Sequence, residues 1–108
     1  MKYDKQPKGW ARLIQNLRDD LEKIAPDLHV TEISIGNMGQ FRFYYSDKGL
    51  TPRQQVAVDA RVKKAEEAAW QTCVVCGRLG SIAYTTPPPM ARVFCEEHKP
   101  KDWNALDG

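Results

Sequence analysis

Cys73-Val74-Val75-Cys76-Gly77 and Phe94-Cys95-Glu96-Glu97-His98 are the two stretches from which the rest of this chain is read. Between them they hold all three cysteines and one of the two histidines, as two pairs of equal internal spacing. Residues 77–94 lie between the pairs, enough chain for a β-hairpin. Paired Cys/His ligands at this spacing predict a zinc site. A tetrahedral Zn²⁺ takes thiolate sulfur at about 2.3 Å and imidazole nitrogen at about 2.0 Å, so two residues between ligands suffice if the chain turns tightly. Gly77 suits that turn because it can adopt a positive φ, fold back over the sulfur and offer N–H groups to it. Cys95 and His98 stand at i and i+3, the spacing of one face of a short helix. Turn-borne pair, hairpin and helix-borne pair together predict a treble-clef-like zinc module over residues 71–103, with Cys73, Cys76, Cys95 and His98 as ligands.

Other readings of the same residues fit less well. A redox Cys-x-x-Cys needs no second Cys/His pair and normally opens a helix in a βαβ setting. Three cysteines cannot complete a disulfide framework evenly, and a buried-hydrophobe role does not account for four matched positions. A catalytic zinc keeps a coordination position open, whereas four protein ligands close the sphere, so the ion is expected to be structural. The deaminase pattern of His-x-Glu before Pro-Cys-x-x-Cys is absent.

Upstream of the motif, apolar residues fall at Trp10, Leu13, Ile14, Leu17, Leu21 and Ile24, the repeat of an amphipathic helix that Pro26 must end near residue 25. Between His29 and Ser46 the period changes to two. Ile33 and Ile35 alternate with Glu32 and Ser34, and Phe41, Phe43 and Tyr45 alternate with Arg42 and Tyr44, around Gly36-Asn37-Met38-Gly39. That pattern predicts a β-hairpin. Its outer face carries Arg42 and Tyr44, either as the solvated side of a small sheet or as a recognition surface. Thr51-Pro52-Arg53-Gln54 holds a cap, a first-turn proline and a capping-box glutamine, and predicts a helix running to Trp70.

Within the metal module, Ser81–Thr85 and Ala91–Phe94 read as short strands, with Pro87-Pro88-Pro89 between them as a stiff polyproline II loop. Pro88 and Met90 on that projection are candidates for docking a partner, against the alternative of a passive loop. After His98, Pro100 limits the last helix and Trp103 folds back onto the body. His29 stands alone at a strand start. The whole is an α+β arrangement: an arm over residues 1–8 expected to be flexible, then one small domain over residues 9–108 in the order helix, hairpin, helix, zinc module.

At 108 residues such a domain has a modest core, which a metal staple supplements. Sixteen basic and fourteen acidic residues leave a net charge of +2 with the signs interspersed, unlike the basic stripe of a protein that relies on phosphate contacts. No apolar run approaches the roughly 20 residues that span a bilayer, and Met1-Lys2-Tyr3-Asp4-Lys5-Gln6-Pro7 lacks a secretory apolar region. Reduced thiols then predict a cytoplasmic protein. No glycine-rich phosphate loop, nucleophile elbow or Ser/His/Asp set is present.

Gly9-Trp10, Gly39-Gln40-Phe41-Arg42-Phe43-Tyr44, the helix before the metal site, Thr72-Cys73-Val74-Val75-Cys76-Gly77 and Phe94-Cys95-Glu96-Glu97-His98 together resemble a group of small bacterial and bacteriophage zinc-finger-containing proteins. The resemblance covers residues 9–99 and implies a zinc-bound α+β fold. It departs at Thr86-Pro87-Pro88-Pro89-Met90, where such proteins more often carry a glycine-aromatic hairpin tip. The expected function is non-enzymatic binding of a protein partner through a zinc-stiffened surface, in a phage-type host-takeover or anti-defence, anti-CRISPR-like setting in the host cytoplasm. The alternative is a nucleic-acid-binding zinc finger using Arg78, Arg92, Lys99 and Lys101, whose charge Glu96, Glu97 and Asp102 dilute. A nuclease would need histidines for a second metal, and only His29 is left.

Overall fold

The computed structural model describes residues 6–105. The arm expected over residues 1–8 falls mostly outside them; inside, Lys8–Trp10 form a single 3-10 turn. Helix α1 (Ala11–Ile24) follows directly and buries Ile14, Leu17 and Leu21. Its end is set as the sequence predicts: Ala25 is extended ahead of Pro26 and donates the last helical bond to the Leu21 carbonyl at 2.8 Å.

Strands β1 (His29–Ile35) and β2 (Phe41–Ser46) pair antiparallel. Along β2, Phe41 and Phe43 are buried while Arg42 and Tyr44 are exposed, the alternation read from the sequence. The register of β1 shifts between Val30 and Glu32, so Thr31 is an extra, unpaired residue. This bulge has a clear use. Val30 and Ile33 are three apart and would lie on opposite faces of a regular strand; the extra residue puts Val30, opposite Tyr45, on the same side as Ile33, opposite Phe43.

Helix α2 (Pro52–Ala69) opens with a complete capping box: Thr51 Oγ1 accepts from Gln54 N at 3.1 Å, and Gln54 Oε1 accepts from Thr51 N at 3.0 Å. Val58, Val62, Ala65 and Ala69 recur at intervals of four, three and four and form its buried stripe. Both helices pack together with one face of the β1–β2 hairpin. Their shared core runs from Trp10 through Leu17, Ile33, Phe41, Phe43 and Val58 to Ala69, with the Trp10 and Phe41 rings edge to face at 5.4 Å.

At the edge of this core Tyr45 donates a hydrogen bond to Asp59 of α2. Burial, and then the carboxylate beside it, push the Tyr45 phenol from 10.0 up to about 12. A raised folded-state value means that the phenol contributes stability below pH 10 and loses it as pH climbs toward 12. Tyr45→Phe is therefore expected to be less stable than the parent at neutral pH, by about 1 kcal/mol for a lost hydrogen bond. The gap should close between pH 10 and 12 in urea unfolding curves; a gap that stays constant through that window would refute the linkage.

Beyond Ala69 the chain enters a second layer: β3 (Ser81–Thr85), β4 (Met90–Phe94) and β5 (Asn104–Ala105), in the order β4-β3-β5. Trp103 does fold back, edge-on to Phe94 with centroids 5.2 Å apart, and the two residues after it add the third strand. The proline tip differs from the expected extended loop. Pairing continues out to Thr85 opposite Met90, so Thr86–Pro89 have only a tight turn in which to reverse the chain, and the Thr86–Pro87 and Pro87–Pro88 peptides are cis.

The layers are tied at two places. Ala91 N donates to Asn37 O at 2.8 Å, and Arg92 Nη1 reaches the carbonyl oxygens of Gly36 at 3.0 Å and Asn37 at 3.1 Å. The second tie lies at the metal centre. The described residues extend 47 × 24 × 23 Å. No helix among them is long and apolar enough to cross a membrane.

Candidate metal centre

The first two ligands sit on a knuckle closed by short-range backbone bonds: Cys73 N donates to Arg78 O at 2.8 Å and Gly77 N to Cys73 O at 3.0 Å. Gly77 has φ +82, the turn conformation for which a glycine is suited. Its N–H goes to a carbonyl, however, and not to a thiol as the sequence suggests. Val75 N supplies the bond to Cys73 Sγ at 3.4 Å, and the backbone of Arg78 serves Cys76. The other two ligands lie just past β4. Here the predicted helix is reduced to one turn, in which Cys95 O accepts from His98 N at 3.2 Å and Lys99 N at 3.1 Å. Pro100 stops it, because proline has no N–H to continue the ladder and forces the residue before it out of the helical region. The ligand spacing survives, since one turn is all that i and i+3 require.

Sulfur and imidazole atoms of Cys73, Cys76, Cys95 and His98 all lie within 4.8 Å of one another. The Cys76 and Cys95 sulfurs are 3.7 Å apart, and His98 Nδ1 is 3.1 Å from Cys95 Sγ and 3.9 Å from Cys73 Sγ. A tetrahedron with metal–sulfur bonds of about 2.3 Å has sulfurs about 3.8 Å apart, so the set fits one ion with Nδ1 as the histidine donor. A disulfide would need about 2.05 Å, and all three cysteines are free. Cys73 and Cys95 are buried, His98 is half-buried and Cys76 is exposed, so the site opens toward Cys76.

The electrostatics favour a thiolate at the deepest position. Burial pushes the Cys73 thiol up, but backbone N–H groups of Cys76, Cys95 and Val75 outweigh it and bring the group from 9.0 down to about 6. Cys76 moves the other way: the Arg78 N–H pulls it down, while burial and the neighbouring Cys95 and Cys73 sulfurs raise it to a net upward shift. A divalent cation among three sulfurs relieves that mutual repulsion.

A contact from the distant N-terminal turn holds the knuckle in place. Gly9 N donates to Val74 O at 2.8 Å, and Trp10 Nε1 donates to Thr72 O at 3.4 Å. The backbones approach so closely that a Cβ on Gly9 would lie 2.6 Å from Val74 C and 2.9 Å from Gly77 N. Gly9 is thus a support residue of the centre. Residue spacing within the metal motif gives no hint of it; the one signal is the Gly9-Trp10 pair at the head of α1.

The residues considered for partner contact do not gather on one surface. Met90 borders a depression of about 320 Å³ together with Met38, Tyr84, Thr85 and Pro89. Pro88 is exposed at the turn beside it, whereas Arg42 and Tyr44 lie along β2 and do not line it. Of the four basic residues weighed for nucleic acid, Arg92 and Lys99 are engaged within the fold, while Arg78 has only a loose, exposed pair. Arg92 is held by the Gly36 and Asn37 carbonyls, Arg78 faces Glu97 at 3.4 Å, and Lys99 donates to Trp103 O at 2.9 Å. His29 is exposed at the start of β1, away from the ligand set. Comparison with known proteins finds no matching family model, curated protein or solved structure.

Proposed function

We propose that this chain is a small non-enzymatic binding protein in which one structural Zn²⁺ stiffens a surface that engages a protein partner. The observation that carries the reading is the four-residue ligand set itself, which leaves no coordination position for a substrate and so favours a scaffolding ion. Three cysteines with one histidine is a donor set suited to zinc. The contact surface in this reading is the depression beside the proline tip. Met38 there is 50% exposed and Tyr84 37% exposed, a degree of aromatic and methionine exposure that suits a partner better than water. Arg42 and Tyr44 are the outlying candidates. The phage-type setting, host takeover or interference with a defence system in the cytoplasm, rests on the resemblance of residues 9–99 alone.

The reading is tested by affinity capture from host extract, with and without nuclease, using the parent chain and a Met38→Glu/Met90→Glu variant. A protein retained after nuclease treatment and lost with the variant is the expected result. Retention that disappears with nuclease would instead favour the nucleic-acid alternative.

A further inference from the structure

Beside the knuckle, the 3-10 turn, α1, α2 and the segment Cys76–Arg78 line a cleft of about 620 Å³, so the exposed thiol of the metal centre forms part of its wall. Lys8, Arg12, Arg61, Lys64 and Arg78 all contribute to its wall, and no Asp or Glu does. In a chain whose total charge is only +2, this is a marked local concentration of one sign. Two of these cations have carboxylate partners just outside the wall: Arg61 with Asp20 at 2.6 Å, and Arg78 with Glu97 at 3.4 Å. The second pair is loose, since both side chains are more than 70% exposed. Lys8 and Arg12 have no ion pair among the described residues; Lys64 lies near enough to Asp20 to help lower its pKa, after the hydrogen bond from Arg61 that dominates.

A second observation points to the same kind of ligand. The first turn of α1 is where a carboxylate or a capping side chain would ordinarily answer the positive end of the helix, yet the first turn holds no acid and Trp10 at the cap position gives the helix no side-chain cap, its indole N–H going to Thr72 O instead. That end of the helix, with Lys8, Gly9, Ala11 and Arg12, forms part of the cleft wall. The remaining wall includes Leu13 and Ala65 but no aromatic ring, so the cleft offers charge without a platform on which a base could stack.

We propose that this cleft binds an oligophosphate group, recognised through its phosphates and not through any attached base. The cations stand on four separate elements, the 3-10 turn, α1, α2 and the knuckle, around one concave volume, an arrangement suited to a compact polyanion and not to an extended backbone. This goes beyond the partner-binding reading and does not depend on it, because the proline-tip depression and the cleft share no lining residue.

Titration calorimetry of the purified full chain, with inorganic pyrophosphate as probe and sulfate as reference, tests the proposal. Saturable 1:1 binding of pyrophosphate, weakened by about tenfold or more in each of Arg12→Glu and Lys64→Glu, is the expected result. Lys101→Glu, outside the cleft, should stay within about twofold of the parent. ATP beside inorganic tripolyphosphate, which matches its phosphate count, tests the base: equal affinity supports recognition through the phosphates alone, whether free or nucleotide-borne, and tighter binding of ATP would overturn it. Pyrophosphate binding no better than sulfate, or unchanged in both cleft variants, would overturn it. So would heat accompanied by loss of metal from the protein, which is stripping and not binding, or tighter binding of oligodeoxynucleotides as their length increases.

Discussion

Cys73→Ser is expected to abolish metal loading and to free the amides of β3 and β4 for exchange, while α1, β1 and α2 keep most of their protection. The unequal outcome follows from where the apolar burial lies. The continuous core spans Trp10 to Ala69, whereas the metal layer buries mainly Ala83, Ala91, Val93, Phe94, Cys73 and Cys95. Residues of that size cannot order thirty-odd residues against a backbone entropy of about 1–2 kcal/mol each. Structural zinc, by contrast, supplies apparent binding free energies of about 10–16 kcal/mol in small finger peptides. Protection factors should therefore fall by about 100-fold or more in β3 and β4, and by less than about tenfold at Leu17, Ile33 and Val58. Equal losses in both layers would show a single cooperative unit. The parent protein, purified without chelator, should carry one zinc per chain, and less than half an equivalent would remove the basis of the experiment.

Gly9→Ala should be the most damaging single methyl group that can be added to a described glycine outside the metal motif. At Gly9 the new carbon meets backbone on two sides, 2.6 Å from Val74 C and 2.9 Å from Gly77 N, and neither can yield as a flexible side chain would. Relief requires the 3-10 turn to lift from the knuckle, breaking the 2.8 Å bond from Gly9 N to Val74 O and loosening Trp10, which is fully buried. Trp10→Ala itself is expected to cost about 3–5 kcal/mol, the range for a large core aromatic. Gly9→Ala should approach the lower end of that range, and Gly49→Ala supplies the comparison. Gly49 also has a positive φ, but nothing lies within 4 Å of its Cβ position, so only the backbone cost of about 1–2 kcal/mol applies. Urea midpoints decide between them, and a Gly9→Ala shift no larger than that of Gly49→Ala would mean the contact is not a tight one.

Features legible in the sequence were those whose causes are local. Thr51, Pro52 and Gln54 interact within four residues, so the α2 cap could be read letter by letter, and the inward alternation of Phe41 and Phe43 is a property of one strand. That Cys73, Cys76, Cys95 and His98 gather at one place was legible for a different reason: two matched pairs with donor atoms suited to a metal have few other uses. What escaped the reading depends on partners far along the chain. The bulge at Thr31 is fixed by β2, the tight tip at Thr86–Pro89 by how far β3 and β4 pair, and β5 by an edge of β3 that no local pattern advertises. The basic cleft escaped because Lys8, Arg12, Arg61, Lys64 and Arg78 are spread over some seventy residues of sequence, and only the fold brings them around one volume.

The edge-on contact of Trp103 with Phe94 gives the molecule separate optical labels. Trp10 is fully buried in the helical core, Trp70 is 39% exposed at the end of α2, and Trp103 is half-buried against the metal layer. Each indole therefore emits from a different polarity, the first bluest and the second reddest. Unfolding of the metal layer alone exposes Trp103, while Trp10 loses its Nε1 bond to Thr72 O but keeps Phe41 and the helical core around it, so the chain carries its own spectroscopic means of telling loss of one layer from loss of both.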